Sequence, residues 1–214
     1  MKKRIILFII GLLLMVGISV LFFYQRKYDA AERKSTYRLT EEEKELLQEG
    51  DIIFRHGFGL ISDAIVKYTK DIYPISHCGI IVKDSLGELF VIHTVSNALA
   101  DVDGMQQDNL NKFVKESHLN SVMVSRYNYT DSIMPTKIAE QAKSYLSQQI
   151  PFDHRFDCDD STAFFCTEFV WRVFNRTFSM DLYNLSPFEN ADCTGFSAFL
   201  HPDRFSIILN HCEE

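Results

Sequence analysis

The sequence predicts an α+β domain, a central antiparallel sheet with helices packed around it, preceded by one N-terminal transmembrane helix. Three observations carry this. Two apolar runs, residues 76–83 and 88–95, are joined by Asp84-Ser85-Leu86-Gly87, a hairpin signal. Segments with helical spacing lie before and after that hairpin. Residues 5–24 form a run of twenty without a charge, long enough to span a hydrocarbon core as a helix.

From the N-terminus, Met1-Lys2-Lys3-Arg4 precedes the apolar run and Gln25-Arg26-Lys27 follows it. The run exceeds the roughly 7–15 apolar residues of a cleaved signal peptide, and no small-x-small pattern closes it. Residues 1–24 therefore read as an uncleaved signal anchor, and no cysteine follows to carry a lipid. Basic residues flank both ends. The N-terminal cluster favours an N-inside orientation, with the domain on the outer, periplasmic side of the inner membrane. Residues 25–39 read as a polar linker and 40–214 as one domain of ordinary size.

Within the domain, residues 40–50 predict a helix capped by Thr40, with Glu43 at the capping-box position and Gly50 closing it. Residues 51–55 form a short strand and His56-Gly57-Phe58-Gly59 a turn. Residues 60–68 carry Ile61, Ala64, Ile65 and Tyr68 on one helical side. After the hairpin come a short helix at 109–116, a strand at 121–126 and a helix at 135–149. The last has Ile138, Ala142, Tyr145 and Leu146 on one face. Residues 153–162 are polar and loop-like. Residues 164–174 are apolar almost all round, which predicts a buried helix. Residues 182–195 look irregular and are expected to border the cleft, and 205–209 form a last strand.

The net charge is −7, unevenly placed. Residues 1–34 hold seven basic side chains against two acidic ones, leaving −12 for the remainder. An acidic domain does not attract phosphate backbones, so no nucleic-acid partner is expected. The membrane is the partner expected of the N-terminal helix. Five cysteines, Cys78, Cys158, Cys166, Cys193 and Cys212, leave at least one thiol free or paired to another chain. No CxxC spacing points to a structural zinc site, and no motif calls for a cofactor. An oxidising compartment would allow one or two disulfides among the other four. The sequence assigns neither the pairing nor an oligomeric state.

Cys166 lies near the start of the apolar helix, after Asp160, Ser161 and Thr162, any of which can cap it. A helix N-terminus and a nearby imidazole both lower a thiol's pKa, and the thiolate is the nucleophile. His77 heads one hairpin strand and His93 lies on the other. By alternation His77, Gly79 and Ile81 share one face, and Cys78, Ile80 and Val82 share the other. A second polar group beside a base histidine can fix its tautomer. Taken singly, Cys166 also reads as a buried small residue and His77 as a satisfied structural histidine. The set His77, His93 and Cys166 also has the composition of a two-histidine, one-cysteine zinc site.

Three motifs fall in a recognisable order: Gly50-Asp51-Ile52-Ile53-Phe54, Ser76-His77-Cys78-Gly79-Ile80 and Phe165-Cys166-Thr167-Glu168-Phe169-Val170. Over roughly residues 45–175 the chain resembles the circularly permuted papain-like cysteine hydrolases, the YiiX/YaeF-like amidases of the NlpC-type superfamily. His77 precedes Cys166, which is the permuted order. The resemblance implies a permuted papain-like (NlpC-type) fold, with Cys166 as nucleophile, His77 as general base and His93 as the third polar residue. His93 stands where many relatives carry a glutamate, which removes a fixed negative charge from behind the base. Glu168 belongs to the motif and is expected to anchor the helix. Cys78 is expected to face away from the site. The implied reaction cleaves an amide or ester through a thioester intermediate, with cell-wall peptides or lipid acyl groups as substrate. A non-catalytic peptide- or lipid-binding module on the same fold, and a zinc-dependent hydrolase, are the alternatives.

Overall fold

Alternation in the hairpin strands dictates the layers, because each strand must bury both faces. The computed structural model describes residues 2–100, 102–184 and 193–212. The sheet is built from β1 (Ile52–Arg55), β2 (His77–Lys83), β3 (Leu89–Val95), β4 (Gly104–Asn109), β5 (Met123–Tyr127) and β6 (Phe205–Asn210). Their spatial order is β4-β3-β2-β1-β5-β6, with every pairing antiparallel. The helices are α1 (Lys2–Lys34), α2 (Glu41–Glu45), α3 (Leu60–Thr69), α4 (Leu110–Lys115), α5 (Met134–Ser147) and α6 (Cys166–Phe178).

One face of the sheet presents Ile52, Phe54, Cys78, Ile80, Val82 and Ile92 to α5 and α6. There they meet Ile138, Ala139 and Ala142 of α5 and Phe169, Val170, Val173 and Phe174 of α6. Burying each large side chain is worth about 1.5–3 kcal/mol, so packing alone holds α6 firmly in place. The other face presents Ile53, Ile81 and Val91 to Leu110, Phe113 and Val114 of α4. The expected α+β architecture is the observed one.

Three local features depart from expectation. Residues 25–34, read as linker, are helical and continue α1 to Lys34. That helix is long and apolar enough to cross a membrane, and the large apolar side chains between Ile5 and Tyr24 are exposed. The helix after Thr40 keeps its capping box but stops at Glu45. Gly50 then turns the chain at φ +84°, where a Cβ would lie 2.8 Å from the Pro135 carbonyl oxygen. Strand β4 is an addition, since Gly-Met-Gln-Gln-Asp-Asn lacks β-branched and aromatic residues. Its place is set by backbone pairing with β3, which puts Gln106 opposite His93 and Asp108 opposite Val91. Most of residues 182–195, expected to be irregular, lies outside the described residues.

Two crosslinks lock the ends. Cys158 and Cys193 form a disulfide with a Cα–Cα distance of 6.3 Å and a sequence separation of 35. Closing a loop of that length removes about 4 kcal/mol of unfolded-chain entropy. Asp51, fully buried, accepts hydrogen bonds from Arg126 Nε at 2.7 Å, Arg126 Nη2 at 2.8 Å and the Gln48 N–H at 2.9 Å. Burial pushes its carboxyl pKa up, and the arginine opposes that push. The Gly-Asp motif is thus a structural clamp on the start of β1. Asp51→Ala should lower unfolding free energy by about 3–5 kcal/mol in urea titration, because it strands the partly buried Arg126 charge. Asp51→Asn, which keeps an acceptor, should cost less.

Candidate active site

Cys166 is the first residue of α6, and Phe165 is the N-cap, extended at φ −96°, ψ 172°. No side chain caps this helix, so the cap expected from Asp160, Ser161 or Thr162 does not form. Asp160 binds Thr162 instead, accepting from its N–H at 2.9 Å and its Oγ1 at 2.7 Å. The helix simply starts too late for these residues to reach it. Backbone dipoles at its N-terminus are therefore left facing the thiol.

Packing and tethers hold that start in place. The Thr94 Oγ1 donates to the Phe164 carbonyl at 3.2 Å, tying the approach to α6 onto β3. Thr167 Oγ1 donates to the Cys193 carbonyl at 2.6 Å. Arg172 donates from Nε to Glu168 Oε1 at 3.0 Å and from Nη2 to the Cys158 carbonyl at 2.7 Å. Burial raises the Glu168 carboxyl to about 7 against the pull of Arg172. Its contacts are those of a helix anchor.

His77 opens β2 and hydrogen-bonds the Cys166 thiol; both residues are partly exposed. His77 Nε2 lies 2.8 Å from His93 Nδ1, and His93 Nε2 lies 3.2 Å from Asp108 Oδ2. Lys112 Nζ donates to Asp108 Oδ1 at 2.7 Å. The three sequence candidates thus meet, and Asp108 and Lys112 extend the line. Hydrogen bonds from His93 and Lys112 outweigh burial and hold the Asp108 carboxyl far below its usual range. An ionised Asp108 only accepts, so His93 must donate from Nε2. His93 Nδ1 then accepts from His77 Nε2–H, leaving His77 Nδ1 as the acceptor for the thiol proton. Asp108 thus places a carboxylate behind His93, ion-paired to Lys112.

Close approach of the two histidines requires Gly79. A Cβ there would lie 2.6 Å from Val91 Cγ1 and 3.0 Å from His93 Cβ. Burial pushes His77 down to about 4; the Cys166 hydrogen bond opposes this, while the His93 and Arg55 charges reinforce it. Burial also lowers His93, against its bond to Asp108. Arg55, paired across the sheet with His77, stacks over Phe113 at 4.2 Å and donates to Glu116 Oε2 at 3.2 Å.

Cys78 differs from expectation. Alternation turns it to the α6 face of the sheet, and that is where Cys166 starts. Its thiol hydrogen-bonds Cys166 and holds that thiol well below the usual range; burial opposes this, and His77 adds to it. Burial sends Cys78 itself well above. The zinc set does not assemble: one nitrogen of each histidine faces the other ring, and the second nitrogen of His93 is taken by Asp108.

A cleft of 500 Å³ on the α4 side of the sheet reaches His77, His93 and Asp108. Cys166 lies beyond His77 and does not line it. Ile65, Val95, Leu99 and Val102 form its apolar wall, and Glu32 of α1 lines it too. A larger cavity, 940 Å³, is lined in part by residues of the Asp84–Gly87 turn and holds none of these groups.

Comparison with known proteins identifies the family and the fold. The profile of the permuted papain-like amidase enzymes of the YaeF/YiiX type, the C92 peptidase family, matches residues 46–195. The crystal structure of metalloprotein yiiX from Escherichia coli O157:H7 superposes with a TM-score of 0.60 at 19% identity. It covers 76% of this chain and 97% of that one, and establishes likeness of fold. No curated protein sequence matches significantly.

The shifts set an acid limit. His77 is neutral above its depressed pKa of about 4 and loses its role as proton acceptor as pH falls through it. The acid limb of kcat/KM should therefore lie near pH 4; a limb near an ordinary histidine value, about 6.5, would contradict this. Asp108→Asn should lower kcat/KM on the order of 10²-fold. That is less than the roughly 10⁴-fold cost where the carboxylate touches the base directly.

Proposed function

Because the chain belongs to the permuted papain-like amidase family, we propose that it is a membrane-anchored cysteine hydrolase of amide or ester bonds. The single observation that carries this is the hydrogen-bonded line Cys166–His77–His93–Asp108. In this reading Cys166 is the nucleophile, His77 the general base and acid, and His93 the residue that orients it.

His77 Nδ1 takes the thiol proton, and the sulfur attacks the substrate carbonyl carbon. Negative charge develops on the carbonyl oxygen near the uncapped start of α6, where the Cys166 N–H is the first donor. Collapse expels the amine or alcohol, which leaves with the proton held by His77. The acyl group remains on sulfur as a thioester. Water then attacks, gives its proton to His77 and releases the acid, while the thiol is restored.

Two features support location and substrate. The Cys158–Cys193 disulfide suits an oxidising compartment, which fits a domain outside the cytoplasmic membrane. Glu32 brings α1 to the cleft, so substrates presented at a membrane are close at hand. Cell-wall peptides and lipid acyl groups both meet that condition. The apolar wall of Ile65, Val95, Leu99 and Val102 favours an acyl chain.

Envelope lipid and peptidoglycan fractions should be incubated with the full chain and with Cys166→Ala. Release of a fatty acid or cell-wall fragment should fall at least roughly 10³-fold in the variant. A covalent acyl adduct on Cys166 should be visible by mass spectrometry. Undiminished turnover by Cys166→Ala would refute the nucleophile. Tight binding of substrate without turnover by the unmodified chain would favour a non-catalytic binding module.

A further inference from the structure

Outside the catalytic line, three more potential ligands converge. His56 follows β1, Asp63 lies in the first turn of α3, and His118 follows α4. One donor atom from each lies within 4.8 Å of the others. His56 Nε2 is already 3.0 Å from Asp63 Oδ1, and the His56 and His118 ring centres are 4.5 Å apart. His118 Nε2 is shut off from solvent and has no hydrogen-bond partner among the described residues. An orphaned buried nitrogen leaves its desolvation cost unrecovered.

The backbone around that nitrogen is nonetheless fixed. The His118 N–H donates to the His56 carbonyl at 2.8 Å, and Gly57 bridges to Ser117. Ser121 Oγ donates to the His118 carbonyl at 2.6 Å. Asp63 is steadied from a fourth direction by the Tyr28 hydroxyl of α1, which donates to its Oδ2. Two imidazoles and a carboxylate are thus held by segments that are tied to one another before any ligand arrives.

We propose that His56, Asp63 and His118 bind a divalent transition-metal ion of the zinc class. Imidazole nitrogen suits zinc and its neighbours, whereas calcium and magnesium require oxygen ligands. Tetrahedral zinc, with ligands at about 2.0–2.1 Å, needs donor atoms about 3.3 Å apart. Three protein ligands leave a fourth position for water. The ion accounts for the orphaned nitrogen and fastens the rim of the cleft, since Gly57, Phe58 and Ser62 line it beside the ligands. Its role is positional. It touches none of Cys166, His77 or His93 and does not depend on the hydrolase reading.

The test is cobalt titration of the chelator-stripped full chain in detergent. One equivalent should bind, with visible d–d bands but without thiolate-to-cobalt charge transfer, and should raise Tm. Zinc should displace it. Cys166→Ser should keep the spectrum, whereas His118→Ala and Asp63→Ala should each lose it. The unmodified chain and Cys166→Ser decide the matter even where a ligand variant fails to fold. No bound cobalt, a thiolate charge-transfer band, loss of binding in Cys166→Ser, or retention in a folded His118→Ala would overturn the proposal.

Discussion

A buried imidazole is tolerable only when each of its ring nitrogens has a partner. That constraint organises this molecule. His93 is almost wholly buried, and its two nitrogens are satisfied by His77 and Asp108. Asp108 stands on an edge strand, so β4 must pair with β3 in the register that brings it within reach. The two histidines share a face of the hairpin, and Gly79 leaves room for them. Lys112, four residues beyond Asp108, balances that largely buried carboxylate. Side-chain orientation and fold are one problem here, solved by one line of hydrogen bonds.

The thiol arrives at that line from the opposite layer. Helix α6 is fixed by four apolar side chains against the sheet, by Glu168 and Arg172, and by a disulfide that ties the loop ahead of it to Cys193. None of these occupies the N-terminal N–H groups with a side-chain cap. A helix whose start is held by packing can leave its dipole for chemistry. Beneath Cys166, Cys78 contributes a thiol that remains protonated because it is buried, and so it donates to Cys166.

Much of this was legible in the sequence. Period-two alternation separated His77 from Cys78, and the hairpin signal put His77 and His93 on adjacent strands. The capping box at Thr40 formed as read. What was missed has physical reasons. Strand β4 carries no strand propensity of its own and is placed by its partner, so Asp108 read as an unremarkable acid ahead of a helix. Asp108 and Lys112 are spaced i, i+4, a signal visible only once Asp108 is known to point at His93. Cys78 was assigned correctly to the face opposite His77. The inference that this face lies away from the site failed, because α6 delivers Cys166 to it. The continuation of α1 through residues 25–34 was hidden by its charges, which suit a solvated helix as well as a linker.

The central claim is the direction of the hydrogen bonds between Asp108 and His77. Nitrogen-15 NMR of histidine-labelled Cys166→Ala protein at neutral pH reads it directly, because protonated and unprotonated ring nitrogens resonate far apart. The account predicts that both His77 and His93 are neutral, with the proton on Nε2 and the lone pair on Nδ1. A proton on Nδ1 of His93 would reverse the line and put the His77 proton on Nδ1, so that the nitrogen facing the thiol would be a donor and not an acceptor.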